Sequence, residues 1–193
     1  MSLDLFVEHL TGEAGPADEE LFNFLVSTLP PRRREAVLLH FHNGLPYKAV
    51  GEHMGGISSS RAMQQAETGV RRIRERIAMD TGLIPLPMDK PEYGETLRRI
   101  IAGTIEDYQG LIEEKERRKA AAEAKALEQH RADSIDTLML TQPTQRALAR
   151  AGITTVGELV AMTEAELRAL GQVNIMNIRS RLRNLGIRQK MEE

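Results

Sequence analysis

Residues 45–77, LPYKAVGEHMGGISSSRAMQQAETGVRRIRERI, constrain the fold more than any other stretch of the chain. Met63, Ala66, Val70, Ile73 and Ile77 recur at intervals of three and four, the period of one buried helix face. Arg61, Gln64, Thr68, Arg72 and Glu75 fall mainly on the other faces. Gly55-Gly56 ends the helix before them, since glycine takes the left-handed backbone of a helix stop without a steric penalty. The run Ser58-Ser59-Ser60 then offers hydroxyl oxygens to the unpaired amides of the next helix. A helix, a tight turn and a capped second helix with an arginine-rich exit make a helix-turn-helix.

The remainder of the chain is also written in helix signals, and the fold class expected is all-α. Leu3 to Leu10 form a short apolar patch closed by Gly12 and Gly15-Pro16. A helix beginning at Ala17 or Asp18 places Asp18, Glu19 and Glu20 at its positive end, with Leu21, Phe24 and Leu25 as the apolar face and Phe22 and Leu29 beside it. Pro30-Pro31 stops that helix and starts the next, which ends at Asn43-Gly44 and buries Val37, Leu38 and Phe41.

Three prolines between Asp80 and Tyr93 mark a connector. Beyond it a single long helix is expected, from Pro91 or Glu92 to about Arg131. Its first half carries an apolar face of Leu97, Ile100, Ile101, Ile105, Tyr108, Leu111 and Ile112, which packs either on the N-terminal domain or against a second copy of the chain in a homodimer through 97–112. Its second half is alanine-rich and densely charged, a solvated spacer.

The last sixty residues read as several short helices. Thr141 is expected to cap one that holds Pro143 in its first turn; Thr155 with Glu158, and Thr163 with Glu166, are capping-box pairs; Gly152, Gly171 and Gly186 are stops. Leu138, Leu140, Leu148, Ile153, Val156, Leu159, Val160, Leu167, Leu170, Ile175, Ile178, Leu182, Leu185 and Ile187 supply the expected core. The organisation is therefore two small helical domains joined by a long helical linker, with boundaries at 1–79, 80–133 and 134–193.

Charge is distributed unevenly behind a net value of −2. Residues 1–29 contain six acids and no lysine or arginine, whereas 30–79 are net +5, 80–133 net −3 and 134–193 net +2. Positive charge thus sits on the two segments that look folded, as it would if both met phosphate. With no cysteine there is no disulfide framework or thiolate metal site. The apolar runs are too short to span a bilayer. His40, His42 and His53 lack carboxylate or thiolate companions at ligand spacing, so neither metal nor cofactor is expected. There is no phosphate-binding glycine loop after a strand, no nucleophile elbow and no outstanding acid pair, so the chain is not expected to be an enzyme. The seven aromatic residues are scattered over packing positions, leaving no module for trapping melted bases.

Two resemblances follow from these residues. The segment from Leu21 to Ile77, LFNFLVSTLPPRRREAVLLHFHNGLPYKAVGEHM and onward, resembles the fourth conserved region of bacterial sigma factors, whose recognition helix enters the major groove of the minus-35 promoter element and whose domain lies against RNA polymerase. The turn here is one residue longer than in that family, and Ser59, Ser60 and Met63 stand where it has charged readers, with Arg61 and Gln64 retained. The segment from Ser134 to Ile187, with its GITTVGELV, TEAEL and LRNLGI frame, is similar to the C-terminal domain of the RNA polymerase alpha subunit, a helix-hairpin-helix domain that holds upstream promoter DNA. That family's groove-inserting arginine falls on Pro143, its asparagine partner on Arg146, and its hairpin on Gly171, Gln172, Val173 and Asn174.

The resemblances imply a transcription regulator that binds promoter-like double-stranded DNA, RNA polymerase or sigma factor. DNA contacts are expected at Ser58, Ser59, Ser60, Arg61, Gln64, Arg71, Arg72 and Arg74 in the first domain and at Arg146, Arg150, Gly171 and Asn174 in the second. Arg179, Arg181, Arg183 and Arg188 are further candidates for phosphate. A cytoplasmic location is expected, on the nucleoid when DNA is bound. Two readings compete: an adaptor that mimics these domains to occupy polymerase or sigma surfaces without touching DNA, and a DNA-binding protein of replication or packaging.

Overall fold

In the computed structural model, residues 3–84 and 92–187 are described, and every regular element among them is a helix. The chain divides into two compact units, Met1–Lys115 and Glu116–Glu193. The segment 80–133 is therefore shared out: its first part joins the first unit and its last part the second.

In the first unit α1 (Asp4–Thr11) ends at Gly12 in the left-handed conformation. Asp18 caps α2 (Glu19–Ser27), its carboxylate accepting from the Leu21 amide at 2.8 Å. Phe22 lies in the core, with its ring edge-on to Phe6 at 4.8 Å, while Phe24 is half-buried near Tyr108. The order expected for these two residues is thus reversed, because α1 packs over the Phe22 side of the helix. Helix α3 (Pro31–Val37) continues into a π-helical turn, Leu38–His42, before α4 (Tyr47–His53) and α5 (Ser59–Thr81). Arg34 closes the end of α2 by donating to the Ser27 and Leu29 carbonyls.

Helix α5 is the spine of this unit, packed on by α1, α2, α3 and α4. Its buried face is Ala62, Ala66, Gly69, Val70, Ile73 and Ile77. Met63, expected in that face, is 39% exposed, and Ala62 takes the buried place. The cause is the close approach of α3: a Cβ on Gly69 would stand 2.5 Å from Val37 Cγ2, so the middle of the face accepts only small residues.

The single long helix expected from residue 91 is broken. Helix α6 (Glu92–Ile101) stops, and α7 (Ile105–His130) begins after a turn in which Thr104 and Asp107 cap each other, with the Thr104 amide 2.9 Å from the Asp107 carboxylate and the Asp107 amide 3.2 Å from the Thr104 hydroxyl. Pro91, the other start considered, lies outside the described residues, as does 85–91 of the proline-rich connector. Leu97, Ile100, Ile101 and Tyr108 are buried in the same core as α1 to α5, and Ile105, Leu111 and Ile112 pack against it. Self-association through 97–112 is thereby replaced: the chain's own helices cover that face. Gly94 permits this docking, since a Cβ there would lie 2.5 Å from the Thr11 carbonyl oxygen.

In the second unit the end of α7 is more than a spacer, because Ala126 and Leu127 pack against the core. A short 3-10 turn, Ile135–Leu138, leads to α8 (Gln142–Arg150), α9 (Val156–Ala161), α10 (Glu164–Ala169) and α11 (Ile175–Asn184). Both capping boxes are present. Their amide and hydroxyl donors pull the Glu158 and Glu166 carboxyls below the ordinary range. Of the core expected from the sequence, Leu148, Val156, Leu159, Leu167, Ile178 and Leu182 are fully enclosed, whereas Val160, Leu170, Ile175 and Leu185 are half-buried at its edge and Ile135 joins it.

Candidate nucleic-acid interface

The turn of the helix-turn-helix is fastened at Gly51. The amides of Gly56 and Ile57 both donate to its carbonyl at 3.0 Å, and the Ile57 carbonyl comes so near that a Cβ on Gly51 would be 2.3 Å from it. Only glycine fits this crossing. Gly55 and Gly56 take positive φ values of 88° and 79°, which bring the chain to Ser58, whose hydroxyl accepts from the Arg61 amide at 3.2 Å. Ser58 is therefore committed to the cap. Ser59, Ser60, Arg61 and Gln64 stand exposed on the first two turns of α5, with Met63 among them. Arg61 also borders a small cavity lined by Arg32, Glu35, Met54, Ile57 and Gln65.

The arginines further along α5 are otherwise occupied. Arg71 and Arg72 are exposed but face Glu75 at 4.0 and 3.0 Å, and Arg76 pairs with Asp80, which also accepts from the Tyr108 hydroxyl at 2.9 Å. Arg74 turns inward. Its Nη2 donates to the His9 carbonyl at 2.9 Å, at the negative end of α1, and burial lowers its pKa. Arg74, expected among the DNA contacts, is thus half-buried and engaged with the end of α1, and reaching a phosphate would require it to give up that hydrogen bond.

In the second unit two helix starts are tied together. The Asn174 amide donates to the fully buried Thr144 hydroxyl at 3.0 Å, and the Thr141 amide to Asn177 Oδ1 at 3.3 Å. Thr141 leads α8 without a side-chain cap, its hydroxyl lying 2.9 Å from that of Thr144. Asn174 caps α11 by accepting from the Asn177 amide at 2.9 Å, so its side-chain oxygen is used within the fold. Gly171 has φ +64°, and nothing lies within 4 Å of where its Cβ would be, so the hairpin is open to an approaching surface. Gln172 next to it also has positive φ, +45°.

Arg146 and Arg150 are exposed one turn apart on α8, and no ion pair holds either among the described residues. Arg179 is held at 2.7 Å by Glu164, which also pairs with Arg168. Arg188 lies outside the described residues. Sequence reasoning missed Gly51, Thr144, Asn177 and the exposed Met176. The first was detectable only as a glycine inside a helix, which propensity alone disfavours.

Among the described residues no group of three His, Cys, Asp or Glu side chains is placed to hold a metal ion, and no helix is long and apolar enough to cross a membrane. His40 is instead stacked on Tyr47 at 3.9 Å and bonded to the Leu45 carbonyl.

Two family models match the chain, one in each unit. Residues 20–72 match sigma-70 region 4, and residues 121–184 match the C-terminal domain of the bacterial RNA polymerase alpha chain. Both resemblances read from the sequence stand. No curated protein and no solved structure matches the chain. The two domains are of kinds that work on DNA and RNA polymerase, and the protein's function is related to transcription at that level. The sigma-like match spans 20–72, and α1, α6 and the start of α7, which lie outside it, pack into the same core.

Proposed function

We propose that this protein is a non-enzymatic transcription regulator that joins a sigma-like and an alpha-like domain in one chain, and acts at a promoter by binding DNA and RNA polymerase. The observation that carries this reading is that each matched domain keeps its outward surface: the start of α5 in one, and the joined starts of α8 and α11 with the open hairpin in the other. A cytoplasmic location, on the nucleoid when DNA-bound, belongs to the same reading. A second reading, an adaptor that contacts polymerase or sigma factor without DNA, is favoured by the pairing of Arg71, Arg72 and Arg76 with acids and the inward turn of Arg74.

A pull-down on purified bacterial RNA polymerase, with a duplex-DNA shift at two salt concentrations, tests both. Retention of polymerase together with salt-sensitive DNA binding is expected. Polymerase binding with no DNA binding at low salt leaves the adaptor. DNA binding without polymerase points to replication or packaging.

A further inference from the structure

Four of the chain's five asparagines are badly placed to react with their own backbone. Asn23, Asn177 and Asn184 lie within α2 and α11, and Asn174 caps α11. The residues that follow these four are Phe24, Ile178, Leu185 and Ile175, whose bulk crowds the next amide nitrogen. Asn43 differs in each respect. It is exposed in the turn between the π-helical segment and α4, and Gly44 follows it. Gly44 has φ +70°, and nothing lies within 4 Å of where its Cβ would be. No hydrogen bond holds its amide among the described residues. His42 Nδ1 stands 3.0 Å from Asn43 Oδ1, and a donor at that oxygen draws electron density from the side-chain carbonyl carbon.

We infer that Asn43-Gly44 is a site of spontaneous covalent modification, at which the asparagine amide is lost and a carboxylate, in part as isoaspartate, takes its place. The Gly44 nitrogen attacks Asn43 Cγ, and the new C–N bond closes a five-membered imide. The Cγ–Nδ2 bond breaks, and ammonia leaves with the proton that the Gly44 amide gives up. Water then opens the ring at one carbonyl or the other, giving aspartate or isoaspartate. The sequence of steps consumes only water and needs no oxidant or reductant. For the attack, ψ of Asn43 must turn away from −8°, and a following glycine hinders that rotation least.

The product changes the turn in two ways. Either form adds a negative charge beside His42, which already meets Glu19 at 3.3 Å. Isoaspartate also adds a methylene to the main chain inside a loop closed by two contacts. The Leu45 amide donates to the Leu39 carbonyl at 3.0 Å, and His40 Nδ1 lies 2.8 Å from the Leu45 carbonyl oxygen. A longer main chain between Leu39 and Leu45 strains both, so the entry to α4, the first helix of the helix-turn-helix, is loosened. This modification stands whether or not that unit meets DNA.

The test ages the full chain, folded, in warm and mildly alkaline buffer and maps its peptides by mass spectrometry. Asn43 should take on the mass of an amide-to-acid conversion about tenfold faster than any of the other four asparagines, a barrier lower by about 1.4 kcal/mol. An isoaspartyl-specific methyltransferase should label the aged wild-type chain and leave aged N43Q unlabelled, because the longer side chain cannot close the five-membered ring. Amide exchange at Leu45 should quicken in the aged protein and stay slow in fresh N43D, which carries the charge without the methylene. Conversion at Asn43 no faster than at Asn23 overturns the site, and so does equal labelling of wild type and N43Q. Unchanged Leu45 exchange in isoaspartate-bearing protein overturns the loosening of α4.

Discussion

The arginines of α5 and α8 are employed differently. In the first unit, Arg34 closes the end of α2, Arg74 closes the end of α1, and Arg71, Arg72 and Arg76 meet acids on their own helix. In the second, Arg146 and Arg150 stand on a helix without a single acid, whereas Arg179 of α11 and Arg168 of α10 are held by Glu164. Sequence counts make the sigma-like segment the more basic, yet five of its nine basic residues already meet a carbonyl or a carboxylate of the fold: Arg34 and Arg74 on other elements, and Arg71, Arg72 and Arg76 on α5 itself. An arginine becomes a candidate for phosphate only when no carbonyl or carboxylate within the fold already occupies its fork.

The sharpest way to separate the units is to damage one at a time. Gly51→Ala puts a Cβ into the Ile57 carbonyl and should destabilise the first unit by about 3 kcal/mol, seen as an earlier denaturant transition in that unit's amide exchange with the second unit unmoved. Thr144→Val leaves the Asn174 amide without its acceptor and should cost the second unit about 2 kcal/mol, and DNA affinity should fall with it. Equal DNA affinity in that variant would uncouple the joined helix starts from binding. Thr155→Ala removes one capping-box acceptor and should cost about 1 kcal/mol by the same measurement.

The smallest effect expected is at His42, whose pKa is raised by hydrogen bonds to Asn43 and Glu19. A raised folded-state value means its contribution is complete below the ordinary histidine value of about 6.5 and is lost as pH rises through the folded value. His42→Gln should therefore flatten a slight loss of first-unit stability between mildly acidic and alkaline pH, measured by urea denaturation. The pair is solvent-exposed, which keeps the effect small.

The caps at Ser58, Thr155 and Thr163 were legible in the sequence because each depends on contacts within a few residues, and most of the second unit's core because apolar residues recur at helical spacing. What stayed hidden depends on distant chain segments. The turn at Thr104 was concealed because apolar residues continue past it at helical spacing, although Thr104 and Asp107 are a capping pair. Met63 lost its buried place to Ala62 because of how α3 crosses at Gly69. Arg74 read as part of a basic exit, and only the position of α1 shows that it serves the fold. Of the residues expected to meet DNA in the first unit, Ser59, Ser60, Arg61 and Gln64 are exposed and away from ion pairs and caps, and Arg71 and Arg72 are exposed but paired.

Hydrogen–deuterium exchange of the full chain with and without duplex DNA tests most directly where DNA is held. New protection should appear at the exposed start of α5, 59–64, and at 142–150 and 171–177 of the second unit. Exchange unchanged in all three stretches would contradict the account.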